Sequence, residues 1–363
     1  MSLRQQGFRL TEGGLLSTPP LDKEHIRELH AQARHARIER ARSGLQRHES
    51  RLLRYFARGD EVEPERIRPR LEEVVAKTEG ELLFRYARLH WSIPVSAGYG
   101  RRLRFLVFDE HTEKLIGLLG LGDPVFHLGP RDSWIGWDGR THRERLRHVM
   151  DAFVLGAVPP YSYLLCGKLV AMLATSRDVR AAFARRYGSS TSLITNRRFA
   201  GELALITTIS ALGRSSLYNR VRAAGRPVFI SVGTTSGSGS FHFSNDVYAN
   251  LLSYAREHCT PSAKNEGWGN GWRSRRDLVR AVLPRIGLPR ELVYHGVKRE
   301  VFVAPLARNT GEFLRGETDE LDPHPESAAE LFEEFRERWL LPRAARDQRY
   351  RDFDPESLRL WGR

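Results

Sequence analysis

DAFVLGAVPPYSYLLCGKLVAMLA, residues 151–174, is the stretch from which the fold is read. Residues 152–158 are a short apolar run, a buried strand that must stop at Pro159 and Pro160 because neither can donate the N–H that a sheet ladder needs. A helix follows, since Leu164, Leu165, Leu169, Met172 and Leu173 recur at helical spacing and residues 161–163 sit where its first turn opens. Strand, turn and helix start in that order bring free backbone N–H groups and the positive end of the helix dipole to the sheet's edge, a setting that suits a phosphate or other anion. Ordinary strand-helix packing gives the same pattern with no ligand.

Outward from that stretch, 363 residues with 40% hydrophobic side chains can build one large domain with additions, or two domains, around a sizeable core. The 58 Lys and Arg against 44 Asp and Glu leave a formal net charge of +14, which favours a polyanionic partner, DNA above all. Composition alone supports non-specific attraction, and a habitually Arg-rich surface is the bland alternative. Cys166 and Cys259 lie far apart without CxxC or Cys/His spacing, which argues against a structural zinc site or a disulfide scaffold and fits a reducing cytoplasm. No metal-ligand motif stands out. Neither HExxH nor a Walker A motif occurs, which speaks against a nucleoside triphosphatase role. The first residues lack an apolar signal core, and no window approaches a membrane span.

In chain order, residues 22–58 are free of proline and read as one or two helices, with ten Lys or Arg and four Glu from Lys23 to Arg58. Residues 64–77 and 81–89 read as further helices. Residues 102–109 and 114–121 are apolar runs around a polar turn, a β-hairpin. Residues 203–210 and 227–234 are strand candidates, and 245–258 an amphipathic helix. Residues 292–304 read as a bent strand or hairpin. Acidic residues dominate 312–339, ten against three Arg, and 327–340 are helical; the last residues read as an extended polar tail. The organisation expected is a basic helical N-terminal extension over 1–80, an α/β core over 81–311, and an acidic helix with a polar tail over 312–363.

A hairpin feeding a splayed strand, whose following helix points its N-terminus at a ligand, resembles the GNAT-like acyltransferase architecture. The fold class expected is therefore α/β, a GNAT-like mixed β-sheet core with a helical N-terminal extension and a C-terminal helix. GLLGLGDPV at 117–125, SWIGWD at 133–138, LCGKLVAML at 165–173, TTISALGRSSLYNR at 207–220, GWGNGWRSRR at 267–276 and YHGVKREVF at 294–302 are similar to blocks of the Druantia anti-phage system protein DruA family, in one order over residues 80–315. The resemblance implies a bacterial antiviral defence component, or a relative of the DruA-like domains found beside transposases. It implies action on nucleic acid and protein partners within a defence system, and it names no reaction. TTIS with SSLYNR and a following strand also resembles Mom-type DNA-modifying enzymes. That likeness implies one pocket for Asp151, Thr208, Ser216 and Tyr218, with Tyr218 or Asp151 moving a proton and the hydroxyls orienting. Residues 158–168 depart from the Arg/Gly-rich pyrophosphate signature of acetyl-CoA users, offering two prolines and Lys168, so the cofactor stays unassigned.

Two further groups come from the residues themselves. Trp134 and Trp137, with Asp138, form a pocket wall or a core plug. Trp268 and Trp272 interleave with Arg273, Arg275 and Arg276, as aromatics that stack on bases beside guanidinium groups that hold phosphates, or as a Trp-anchored loop ahead of a basic helix. His295, Lys298, Arg299 and Glu300, within six residues, form an active site or a phosphate clamp, or Lys298 and Glu300 share one strand face and merely pair. His242 is a general base or a structural histidine, and residues 234–239 a phosphate loop or a linker.

Overall fold

The hairpin at residues 102–122 supplies two adjacent strands on one side of a seven-stranded sheet, next to its edge strand. The structure, a computed structural model, describes residues 8–11, 16, 17, 22–95, 100–189, 199, 201–237, 243, 245–261, 268 and 272–362. The sheet strands are β1 (Pro69–Glu73), β2 (Arg102–Asp109), β3 (Lys114–Gly122), β4 (Val149–Ala157), β5 (Leu205–Ile209), β6 (Ile230–Thr234) and β7 (Glu300–Pro305). Their order across the sheet is β6-β7-β5-β4-β3-β2-β1. Every neighbouring pair is antiparallel except β4 and β5. A parallel pair needs a crossover, and the helices α5 and α6 introduced below supply it.

The helices that matter here are α1 (Lys23–Leu45), α2 (Glu79–Ala87), α3 (Gly129–Ile135), α4 (Gly139–Arg145), α5 (Cys166–Leu173), α6 (Arg177–Tyr187), α7 (Asn245–His258), α8 (Trp272–Arg285), α9 (Thr310–Arg315) and α10 (Ala328–Phe335). Strand periodicity sorts the core. Phe105, Leu119, Met150, Ile206 and Phe302 point to the face covered by α5, α6 and α10. Leu106, Leu118 and Val154 point the other way, toward α2, and Val149, Leu205 and Val303 toward α3 and α9. A separate apolar cluster joins α7 to α8 through Leu251, Ala255, Leu278 and Val282.

The turn of the hairpin is built around one buried carboxylate. Asp109 accepts hydrogen bonds from the backbone N–H groups of Arg68 and His111, at 3.0 and 3.2 Å, and from the hydroxyls of Thr112 and Tyr161, at 3.2 and 2.9 Å. Gly117 allows β3, β4 and α5 to close up, since a Cβ there would lie 2.4 Å from the Gly156 carbonyl oxygen.

Pairing between β4 and β5 covers only three residues, Val149↔Leu205, Met150↔Ile206 and Asp151↔Thr207, although both strands continue. On the other side of β4 the register with β3 slips between Gly120 and Leu121, so that Phe153 is left out of the ladder as a bulge. β4 therefore leaves its parallel partner just beyond Asp151.

Three expectations need correction. Residues 64–77 are a single turn, Pro64–Arg66, followed by the edge strand β1. Pro69 opens that strand, where a missing N–H does no harm to an edge. Residues 292–299 are not strand; a short turn, Arg290–Val293, precedes β7 at Glu300. The last residues are not an extended tail, for Tyr350 and Trp361 are buried in the two main core clusters. Among the described residues no helix is long and apolar enough to cross a membrane.

Candidate functional site

Register decides which of the expected pocket residues meet. Neighbours along a strand point to opposite faces, so Thr207 and Thr208 cannot serve one pocket. Asp151 pairs in register with Thr207, whose hydroxyl donates to the Asp151 carboxylate at 2.5 Å, on the face beneath α3. Thr208 lies on the α5 face, donates to the Ala152 carbonyl at 3.1 Å, and meets the Tyr218 hydroxyl. Ser216 is exposed in the loop before Tyr218. The expected quartet of Asp151, Thr208, Ser216 and Tyr218 is thus divided by the sheet.

Burial raises the Asp151 pKa, against the Thr207 hydrogen bond and the nearby Arg131 charge, which lower it. A buried carboxyl held above its ordinary range keeps its proton more readily than an exposed one. Tyr218 differs. Its ring lies 4.8 Å from that of Phe229 and 5.2 Å from that of Phe302, and burial pushes its phenol up, which works against ionisation and general-base use. Lys168 sets its Nζ 4.7 Å over the Trp339 ring. The start of α5 is covered as well. Arg343 Nε donates to the Tyr163 carbonyl at 3.0 Å, and the Tyr163 and Phe353 rings lie 6.4 Å apart. The βα unit packs in the ordinary way.

Beneath α3 the polar groups converge. Arg131 is 0% exposed; its guanidinium donates to Asp132 Oδ1 and to the carbonyls of Val125 and Phe126, at 2.8, 3.0 and 3.0 Å, and lies 5.3 Å from the Trp137 ring. Asp132 Oδ2 accepts from the Leu128 backbone N–H at 3.0 Å. Trp137 donates through Nε1 to the Leu314 carbonyl at 2.7 Å and turns its ring toward His142, 4.7 Å away. Trp134 packs half-buried in the cluster under α3. Asp138 caps α4, accepting from the backbone N–H groups of Arg140 and Thr141 and from the Thr141 hydroxyl. Of the expected wall, then, Trp137 lines polar groups, Trp134 packs apolar ones and Asp138 holds a helix end.

Among the described residues, His127, Asp132 and His142 bring possible metal-ligand atoms within 4.8 Å of one another. Burial lowers the His142 pKa, with Asp132 and the Phe126 carbonyl opposing, and favours the neutral imidazole that ligates. Sequence reading passed over this group because its members fall in three separately read segments, the hairpin's exit, α3 and a basic loop, at spacings that match no known motif.

The nucleic-acid candidates lie elsewhere. Trp268 is half-buried against the α7/α8 cluster. Trp272 and Arg273 open α8, and their side chains lie outside the described residues, as do His242 and residues 238–239. Arg275 stacks its guanidinium 4.0 Å over Tyr248, and Arg276 lies 3.9 Å from Asp277. Lys298 is exposed, whereas Arg299 contacts His30 Nε2 at 3.0 Å, an imidazole that burial and the Arg299 charge hold neutral with a pKa of about 4. Arg299 therefore docks α1, and Glu300 accepts from the Ser215 N–H and the Ser231 hydroxyl instead of pairing with Lys298. A groove of about 750 Å³ lined by Arg68, Arg70, Phe105, Asp178, Arg185 and Phe332 runs beside the edge strand β1 and includes none of the expected residues.

The motif blocks quoted above fall inside a family model described as Druantia protein DruA, which matches residues 20–316. The Druantia protein DruA of Escherichia coli (strain UMEA 4076-1) is 42% identical over 359 residues, covering 98% of this chain and 88% of that protein. No solved structure matches. With the sheet, the αβ crossover and every motif block inside the matched span, this chain belongs to the Druantia protein DruA family.

Proposed function

We propose that this protein acts in anti-phage defence as a cytoplasmic DNA-binding component of a Druantia-type system, alongside protein partners. The family supports the defence role. The observation that carries DNA contact is α8, WRSRRDLVRAVLPR, which buries Leu278, Val279, Val282 and Leu283 and, among its described side chains, sets Arg275, Arg276, Arg280 and Arg285 against Asp277. An amphipathic helix anchored by its apolar side presents cations where a phosphate backbone can run along them. A GNAT-like reading of the core is supported by the hairpin β2/β3, the bulge in β4 and the early parting of β4 from β5.

A catalytic reading rests on Asp151. Its carboxyl, raised by burial and set between Thr207 and Arg131, is the described group best suited to move a proton during modification or cleavage of bound DNA. Comparing labelled duplex binding by wild type, the Arg273→Ala/Arg276→Ala/Arg280→Ala triple variant and Asp151→Asn tests both readings. The triple variant is expected to bind at least about tenfold more weakly, because phosphate contacts add roughly independently. Asp151→Asn is expected to bind as wild type. A triple variant with undiminished affinity overturns the assignment to α8, and a loss of binding in Asp151→Asn overturns the separation of chemistry from contact.

A further inference from the structure

Helix α3 opens with Gly129-Pro130 and carries Asp132, the loop before it carries His127, and α4 carries His142. We infer that His127, Asp132 and His142 form a binding site for a divalent transition-metal ion such as Zn²⁺, with at least one coordination position open to solvent. The proposal does not depend on DNA binding or on the role of α8.

Three observations carry it. The donor set is two imidazoles and one carboxylate, a combination that suits zinc and its first-row neighbours and not the oxygen-seeking magnesium or calcium. The ligand atoms already lie within 4.8 Å of one another, against roughly 3.4 Å around a tetrahedral ion. His142 is 5% exposed, and its Nε2 is buried with no hydrogen-bond partner. A buried imidazole nitrogen left without a partner costs free energy unless something takes its lone pair or its proton.

The surroundings fit as well. Arg131 grips Asp132 Oδ1, and the Leu128 N–H holds Oδ2, so the carboxylate's direction is set by partners that do not ligate. Trp137 and Phe126 border the His142 ring, at 4.7 and 4.6 Å between centroids, and keep it in place. His127 is the adjustable member. Its side chain is 77% exposed, stacks on His142 with centroids 5.0 Å apart, and has its Nδ1 3.8 Å from Asp132 Oδ2. A site with three protein ligands at the surface leaves room for water or an oxyanion, the arrangement of reactive sites rather than of closed structural ones.

The test is calorimetric titration of the metal-stripped full chain with Zn²⁺, together with Co²⁺ absorption in the visible range as a report of the ligand field. The expected result is one ion per chain, bound at least about a hundredfold more weakly by His142→Ala and about tenfold more weakly by His127→Ala, with a ligand-field band lost in both. Because His127 is exposed, its variant keeps the fold, which circular dichroism checks, and so remains informative if His142→Ala does not fold. Absence of stoichiometric binding overturns the proposal, as does binding that His127→Ala leaves unchanged.

Discussion

His148 is 3% exposed between the rings of Phe199 and Phe313, and its Nδ1 donates to the Glu202 carbonyl at 3.0 Å. Burial lowers its pKa to about 3, and Arg147, Arg145 and Arg101 push in the same direction. The imidazole is neutral in the fold and takes a proton near pH 6.5 in the unfolded chain, so stability is full above that pH and falls as pH drops toward about 3. His30 and His90, each held near 4 mainly by burial, add to the same loss. Denaturant unfolding at pH 7 and pH 5 should differ by about 2 kcal/mol from His148 alone. Equal stability at the two values contradicts this account of the buried histidines. The same scale shows where residues outrun sequence reading. Asp151, Thr208 and Tyr218 stand out by type, but the pairing of Asp151 with Thr207 is a matter of register between strands more than fifty residues apart. A shift of one residue exchanges the two faces of the sheet, and nothing local to either strand announces which register holds.

Among the elements, the hairpin β2/β3, the strand β4 and the helices α5 and α7 were legible because each carries its own periodic or continuous apolar signal. The edge strand β1 was not, since PRLEE is mostly charged and lies between prolines and a polar turn. The C-terminal segment was missed for another reason. It is held by isolated anchors in polar sequence, and single anchors have no period. Glu49 accepts from the Tyr86 hydroxyl at 2.9 Å and from the backbone N–H groups of Leu360 and Trp361, at 2.7 and 3.3 Å. Gly59 lies so close to the same segment that a Cβ would sit 2.1 Å from the Tyr350 carbonyl oxygen, and its own N–H donates to the Phe353 carbonyl at 2.8 Å. Gly59→Ala should therefore release residues 348–362 from the core, at a cost of about 2 kcal/mol or more. Thermal unfolding and limited proteolysis check it, and a variant as stable and as protease-resistant as wild type shows that the segment is not clamped there.

For the whole molecule, the formal net charge of +14 is unevenly compensated. Four of the five acidic residues in 317–326 are engaged by arginines: Glu326 takes a two-pronged contact from Arg226 at 2.7 and 2.8 Å, Asp322 meets Arg308 at 2.9 Å, and Asp319 meets Arg145 at 2.5 Å. Glu317 pairs with Arg315 at 2.6 Å. The acidic segment thus binds its own chain near α9, and α8 keeps its five Arg against one Asp. That asymmetry is the basis of the proposed DNA contact, and the most direct test of the proposal is binding to labelled single- and double-stranded DNA over a salt series, with mass analysis of the recovered nucleosides. The account predicts affinity that falls linearly on logarithmic axes, with a slope steeper than about −3, as several released counterions require. No binding at low salt, or binding indifferent to salt, contradicts it.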